Sequence, residues 1–143
     1  MSVHPFTPEQ VQAIETAISE AERQTSGEIR IHIDDHCPGD ALNRARVLFN
    51  SLGMTETVDR NGVLLYIAIE DHKLAIYGDI GIHATVGLNY WAGIIDLITQ
   101  HARKGDLAGG IVEGIHGLGQ VLKKYFPYSQ DDVNELHNTI SFG

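Results

Sequence analysis

The sequence predicts an α/β protein, arranged as a three-layer α/β/α sandwich around a small mixed sheet with a central β-hairpin. Residues 63–69 form an almost unbroken apolar run, which is typical of a strand buried on both faces. A polar turn follows at 70–72, and residues 74–77 return as a second strand. Upstream, residues 28–33 alternate charged or polar side chains with isoleucine, which predicts a strand with one apolar face covered by a helix.

Helical patterns precede, separate and follow these strands. The first helix is announced by Thr7 as the N-cap, Pro8 at the first helical position and Gln10 closing a capping box. Asp40 and Asp106 are predicted to cap two further helices, and a helix between them is expected to open at Gly87 or Asn89. Their inward stripes are Leu42, Ala45, Phe49 and Leu52; Trp91, Ile94, Ile95, Ile98 and Ala102; and Leu107, Ile111, Ile115, Leu118 and Leu122.

Length and composition set the outer limits on class. The 143 residues are interpreted as one domain, with a core at about 7–126 and a short C-terminal helix at about 130–140. The net charge of −9 disfavours nucleic acid and membrane surfaces as partners. Since there is neither a signal-peptide pattern nor an apolar stretch long enough for a membrane span, a soluble cytoplasmic protein is expected. The single Cys37 excludes an intramolecular disulfide and a Cys-rich zinc site.

The predicted strand directions sort the polar residues onto two edges of the sheet. A helical crossover makes the first two strands parallel, and the hairpin makes the third antiparallel to the second. The amino edge then collects residues 26–28, 59–61 and 78–79, where the first two strands begin and the third ends. The carboxyl edge collects 34–36 and 70–72. Each edge is a candidate site.

The amino edge carries the main hypothesis, a divalent-cation site. Carboxylate and amide oxygens near a Gly-rich loop at 78–81 are the ligands that Ca²⁺ and Mg²⁺ prefer. Asn-Gly at 61–62 is also an ordinary turn signal, and Asp79 between glycines is compatible with a simple capping role. His83 lies close enough in sequence to contribute to a ligand site, although a surface-loop histidine needs no such role.

The carboxyl edge is the alternative. Ligands generally bind beyond the carboxyl ends of parallel strands, and this edge presents Asp34, Asp35, Glu70 and Asp71. The same residues are also typical of two solvent-exposed turns without a ligand. His32 is interpreted as a tolerated strand residue, and the sequence has no zinc-hydrolase, nucleophile-elbow or phosphate-loop motif. A nucleophilic serine or cysteine therefore has no support.

The chain resembles the TPM domain family, whose members include thylakoid-lumen, photosystem-repair and receptor-modulator proteins. The resemblance rests on Thr25–Ile29, Arg60–Leu64 and Gly78–Ile82, with Gly105–Asp106 and Ala108–Ile111 before the last long helix. It implies an α/β/α sandwich, binding of calcium or another divalent cation in some members, and acid phosphatase activity in others. Carried over by position, the motif residues are Glu28, Arg60, Asn61 and Asp79.

Three functions follow from the residues and the resemblance together. The first is a module that binds Ca²⁺ or Mg²⁺ through Glu28, Asp59, Asn61 and Asp79 and acts through a protein partner; Asp59 is added because it would lie at the same edge. The second is a metal-assisted phosphomonoesterase at this edge, with Arg60 stabilising phosphoryl charge. The third is a structural interaction domain without a ligand. Many members of the family carry a membrane tail, and by comparison this chain is expected to be a stand-alone member.

Overall fold

The structure, a computed structural model, describes residues 6–86, 91–128 and 140–143. It confirms the predicted α/β fold. The helices are α1 (Pro8–Glu22), α2 (Ala41–Ser51), α3 (Ile80–Thr85), α4 (Ala92–Arg103) and α5 (Leu107–Tyr125), with a short 3₁₀ turn at Met54–Glu56. The strands are β1 (Glu28–Asp34), β2 (Gly62–Ala68), β3 (Lys73–Gly78) and β4 (Ser141–Phe142). The predicted C-terminal helix at about 130–140 lies mostly outside the described residues.

The sheet is mixed, with the strand order β3-β2-β1-β4. The predicted directions are confirmed, because β1 and β2 pair in parallel from Glu28 and Gly62 onwards and β2 and β3 pair antiparallel. β2 is the buried interior strand, whereas its hairpin partner β3 lies at the rim of the sheet. The sequence analysis did not predict β4, which runs parallel to β1 and pairs with it at His32 and Ile33.

Helices cover both faces of the sheet. The isoleucines of β1 and the odd-numbered positions of β2 pack with α1, α4 and α5 in the larger apolar cluster. Leu64, Tyr66 and Ala68 face the other way and pack with Ala45, Leu48 and Phe49 of α2. Consequently His32 and Asp34 of β1 lie on the face that α2 shares, opposite the isoleucine core.

The glycines of α5 allow close packing against α4 and α1. A Cβ atom on Gly110 would lie 2.7 Å from Cβ of His101, and one on Gly114 would lie 2.7 Å from Cδ1 of Ile98. On the next face, a Cβ on Gly119 would lie 3.0 Å from that of Ala21 in α1. Glycine has a low helix propensity, and the close packing between the helices offsets its free-energy cost.

Three expectations about single segments were wrong. Leu42 of α2 is exposed and Leu48 is buried in its place, and Ala102 of α4 is also exposed. The supposed Gly-rich loop at 78–81 is the start of a helix, because the Asp79 side chain accepts a hydrogen bond from Ile80 N and caps α3. Gly78 and Gly81 favour a loop when only the sequence is considered, because their close packing is not visible there.

Gly81→Ala is expected to lower the free energy of unfolding by about 2 kcal/mol. An added Cβ would lie 2.7 Å from the carbonyl oxygen of Arg60 and closer still to that of Asp59, both of which are backbone atoms. Gly93→Ala in the first turn of α4 is the control, since nothing lies within 4 Å of its added Cβ. Urea unfolding should show Gly93→Ala equal to or above wild type, and equal effects of the two variants would contradict the packing argument.

Candidate functional site

At the amino edge, Asp79 is bound by Arg60 rather than open to solvent. Arg60 donates from Nε to Oδ2 of Asp79 at 2.7 Å and from Nη2 to Oδ1 at 2.8 Å. The carboxylate is 5% exposed and the guanidinium 46% exposed. Arg60 has a positive φ of 51°, a conformation that is uncommon for non-glycine residues, and the bidentate contact helps to hold it. This ion pair ties the start of β2 to the start of α3.

Glu28 lies against the carboxyl group of Glu22 of α1. Glu28 is 3% exposed, and Glu22 Oε2 accepts a hydrogen bond from Ile29 N at 2.7 Å. Burial, together with hydrogen bonding and repulsion from Glu28, raises the pKa of Glu22 to about 9. At neutral pH Glu22 is therefore protonated and can donate a hydrogen bond to Glu28.

Asn61 joins Glu28 across the strand pair. Its carbonyl oxygen accepts from Glu28 N at 3.4 Å, and its Nδ2 donates to Ser26 Oγ at 3.2 Å. Asn61 is 1% exposed, and among the described residues its Oδ1 has no hydrogen-bond partner. Asp59 is exposed in the loop before β2. The side chain of His83 lies outside the described part of the structure.

The predicted metal ligands are thus only partly brought together. Glu28 and Asn61 adjoin, Asp79 is committed to Arg60, and Asp59 faces solvent. Within residues 6–86, 91–128 and 140–143, no group of three or more His, Cys, Asp or Glu side chains is placed to hold a metal ion. A cation at this edge would have to take few protein ligands and several waters, as Mg²⁺ commonly does.

At the carboxyl edge, Asp34 is the centre of a buried polar network. Its Oδ2 accepts from Tyr66 OH at 2.7 Å and from Arg44 Nε at 3.1 Å, and its Oδ1 lies 2.9 Å from His32 Nε2. Ser141 Oγ of β4 lies 2.8 Å from His32 Nδ1. The Tyr66 and His32 rings are stacked, with centroids 6.1 Å apart.

The ionisation states in this network follow from its contacts. Burial opposes ionisation of Asp34, but hydrogen bonds from Tyr66, Arg44 and His32 outweigh it, so the pKa of Asp34 is lowered. Burial lowers the pKa of His32, which is therefore neutral at pH 7. An ionised Asp34 requires a donor, so the neutral His32 carries its proton on Nε2, and its Nδ1 is an acceptor that faces the Ser141 hydroxyl group.

Ser141, His32 and Asp34 follow one another in the order of a hydrolase triad. However, His32 is 5% exposed on its side chain and is covered by the Tyr66 ring. The three described cavities are not lined by Ser141. The geometry therefore supports a structural role, in which the network anchors β4 to β1.

The turns of the carboxyl edge are bound to each other. Asp71 accepts from Cys37 N at 2.6 Å and lies 3.1 Å from His36 Nδ1. Its hydrogen bond with His36 lowers the pKa of Asp71 and raises that of His36. Lys73 Nζ donates to the carbonyl oxygens of Cys37 and Gly39 at 2.6 and 2.8 Å. The Lys73 ammonium group thus occupies two carbonyl oxygens that could otherwise coordinate a metal ion.

All three described cavities open at the carboxyl edge. The largest, about 520 Å³, lies beside Asp34 and Arg44. The other two, about 250 and 480 Å³, lie between the β2–β3 turn and α4. This placement agrees with the general rule for ligands at the carboxyl ends of parallel strands.

The sequence analysis did not identify Glu22 as a site residue, and it interpreted His32 only as a tolerated strand residue. Glu22 falls in the last turn of an amphipathic helix, where an acidic residue normally faces solvent. His32 and Asp34 alternate with core isoleucines, and that alternation was the available signal that both lie on one face of β1.

The fold and this edge geometry define a class of small α/β/α domains with a parallel β1–β2 pair and a β2–β3 hairpin. The TPM domain family matches residues 2–121, so the chain belongs to the TPM domain family. No curated protein matches it significantly. Within the described residues, no helix is both long and apolar enough to cross a bilayer.

Solved structures show the same fold. BA42 from the psychrophilic bacterium Bizionia argentinensis, solved by NMR, is 41% identical with a TM-score of 0.92, covering 100% of this chain and 99% of its own. The N-terminal domain of a P. gingivalis protein has a TM-score of 0.71 at 19% identity, covering 85% of this chain and 78% of its own. The N-terminal domain of cg2496 from Corynebacterium glutamicum has 0.65 at 12%, covering 95% and 80%. These last two likenesses concern the fold alone.

Proposed function

We propose that this TPM domain binds a divalent cation, Ca²⁺ or Mg²⁺, at the amino edge. The observation that supports it is the Oδ1 atom of Asn61, a buried acceptor without a partner among the described residues. The backbone of Asn61 is hydrogen-bonded to that of Glu28, so the two residues adjoin. A buried acceptor of this kind costs free energy unless a donor or a cation satisfies it. Glu28, Asn61 and the exposed Asp59 would supply the oxygens, and the cation would supply a fixed positive charge.

Asp79 contributes indirectly in this proposal. Its contacts with Arg60 fix the loop that precedes β2 and hence the position of Asn61. Arg60 uses two of its five N–H groups on Asp79. No contact among the described residues gives the phosphomonoesterase alternative separate support.

Exposed apolar side chains at the same edge support the proposal that the domain binds a protein partner. Val58 is 87% exposed and Ile80 64% exposed. Their segments adjoin, since Gly81 N donates to the Arg60 carbonyl oxygen at 2.9 Å. Two aliphatic side chains beside a cation site offer a small apolar contact for a protein that recognises the loaded edge.

Titration of ¹⁵N-labelled protein with Ca²⁺ and with Mg²⁺ tests the site. We expect saturable amide shifts at 26–29 and 59–62, and an apparent affinity reduced about tenfold in Glu28→Gln and severalfold in Asp59→Asn. Asp35→Asn removes the same charge at the carboxyl edge and should bind within about twofold of wild type. Spectra of each variant without metal establish that the fold is intact.

Two results would contradict the proposal. Shifts confined to 34–36 and 70–72, with Asp35→Asn weakened and Glu28→Gln unchanged, would transfer the cation to the carboxyl edge. A flat response to both ions up to about 10 mM, roughly tenfold above the weak end of protein calcium dissociation constants, would leave no cation function.

A further inference from the structure

The smallest cavity at the carboxyl edge is a crevice between the β2–β3 turn and α4, here called the α4 crevice. It measures about 250 Å³ and its lining includes Ile69, Leu74, Thr99 and Leu107. The adjoining cavity of about 480 Å³ shares Leu74 and Thr99, so the crevice widens toward the loop before α2. Its inner surface is mainly aliphatic, as in many small-molecule sites.

Positive side chains line the mouth of the α4 crevice. Lys73 and Arg103 both line it, together with His72. Among the described residues, the side chain of Arg103 has no hydrogen bond or ion pair. Lys73 is held by two loop carbonyls, which leaves one of its three N–H groups available. The chain has a net charge of −9, so a crevice lined by two positively charged side chains differs from the acidic character of the chain as a whole.

Two of the nearby acidic groups, Asp40 and Asp71, are otherwise engaged. Asp40, which lines the adjoining cavity, accepts from Asn43 N at 2.9 Å as the cap of α2. Asp71 is bound by His36 and Cys37 N. His72 has a positive φ of 54°, a backbone conformation that is uncommon outside glycine and that clusters at functional sites.

We propose that the α4 crevice binds a small organic anion, with its aliphatic body against Leu74 and Leu107 and its charged head between Lys73 and Arg103. Carboxylate and phosphate heads share the chemistry that these cations recognise. The surrounding negative charge disfavours anions elsewhere on the surface, so binding should be confined to the crevice. The site is separate from the cation edge, which lies at the opposite ends of the strands.

Matched six-carbon probes test the proposal by NMR titration: hexanoate, hexyl phosphate, hexanol and hexylamine. We expect both anions to shift the amides of Ile69, Leu74, Thr99 and Leu107 saturably. Hexanol should bind about fivefold more weakly and hexylamine more weakly still. The ratio of hexyl phosphate to hexanoate affinity identifies the preferred head group.

Arg103→Gln should weaken hexanoate binding about fivefold, because it removes an unpaired guanidinium from the mouth. Lys104→Gln is the matched control: it removes one positive charge at the next position, outside the crevice lining, and should stay within about twofold of wild type. Equal binding of hexanoate and hexanol, equal losses in the two variants, or shifts outside the crevice would each overturn the proposal.

Discussion

Replacing Asp34 with asparagine is expected to lower the free energy of unfolding by about 3 kcal/mol. The carboxylate accepts hydrogen bonds from Tyr66, Arg44 and His32, and its own side chain is 8% exposed. An amide has the same shape but presents an NH₂ donor to groups that are themselves donors. At least one buried donor is then left unsatisfied, and the Arg44 charge loses its partner.

Urea unfolding at pH 7 measures this loss, with Asp35→Asn as the neighbouring control. Asp35 is more exposed and should change stability by less than about 0.5 kcal/mol. A double-mutant cycle with Tyr66→Phe should give a coupling energy above about 1 kcal/mol, because both substitutions break the same contact. Additive effects, or an Asp34→Asn loss no larger than that of Asp35→Asn, would show that Asp34 is not the centre of the network.

Glu22→Gln is expected to stabilise the metal-free protein by about 2 kcal/mol at pH 8 and by little at pH 4.5. The folded pKa of Glu22 is raised to about 9 from 4.5. Its stabilising contribution is thus complete below the unfolded value and is lost as pH rises toward the folded one. Glutamine keeps the acceptor for Ile29 N, donates to Glu28 and does not titrate.

Stability measured in EDTA from pH 5 to 9 should therefore fall more steeply in wild type than in Glu22→Gln. Glu20→Gln removes an exposed carboxylate from the same helix and should retain the wild-type slope. If Glu22→Gln and wild type show parallel pH profiles, Glu22 is ionised in the folded protein and the shared-proton pair with Glu28 does not exist.

Much of the fold could be predicted because its signals are local. The apolar run of β2, the alternation of β1 and the capping box at Thr7 each depend on neighbouring residues, and each is confirmed. β4 could not be predicted, since two residues carry no periodicity and their pairing with His32 and Ile33 spans more than 100 positions. Short α3 was missed because glycine-rich sequence conceals a helix whose start depends on the Asp79 cap.

The candidate site was predictable only at the level of edges. Strand directions place Glu28, Asn61 and Asp79 together at the amino edge, and the register confirms that placement. Which atoms meet depends on side-chain choices that spacing does not encode. Arg60 turns onto Asp79, and Glu22 reaches the Ile29 amide from another element.

The polar side chains beside β1 have a consequence for association between molecules. β4 covers only part of the outer side of β1, and that strand carries three isoleucines. Elsewhere along it, the Glu22 carboxyl occupies the Ile29 amide and the Ser141 hydroxyl lies 3.2 Å from the Ile31 carbonyl oxygen. An incoming strand from a second molecule would have to displace both side chains before it could pair there. These two side chains and the two-residue β4 thus protect β1 against edge-to-edge pairing with a second molecule.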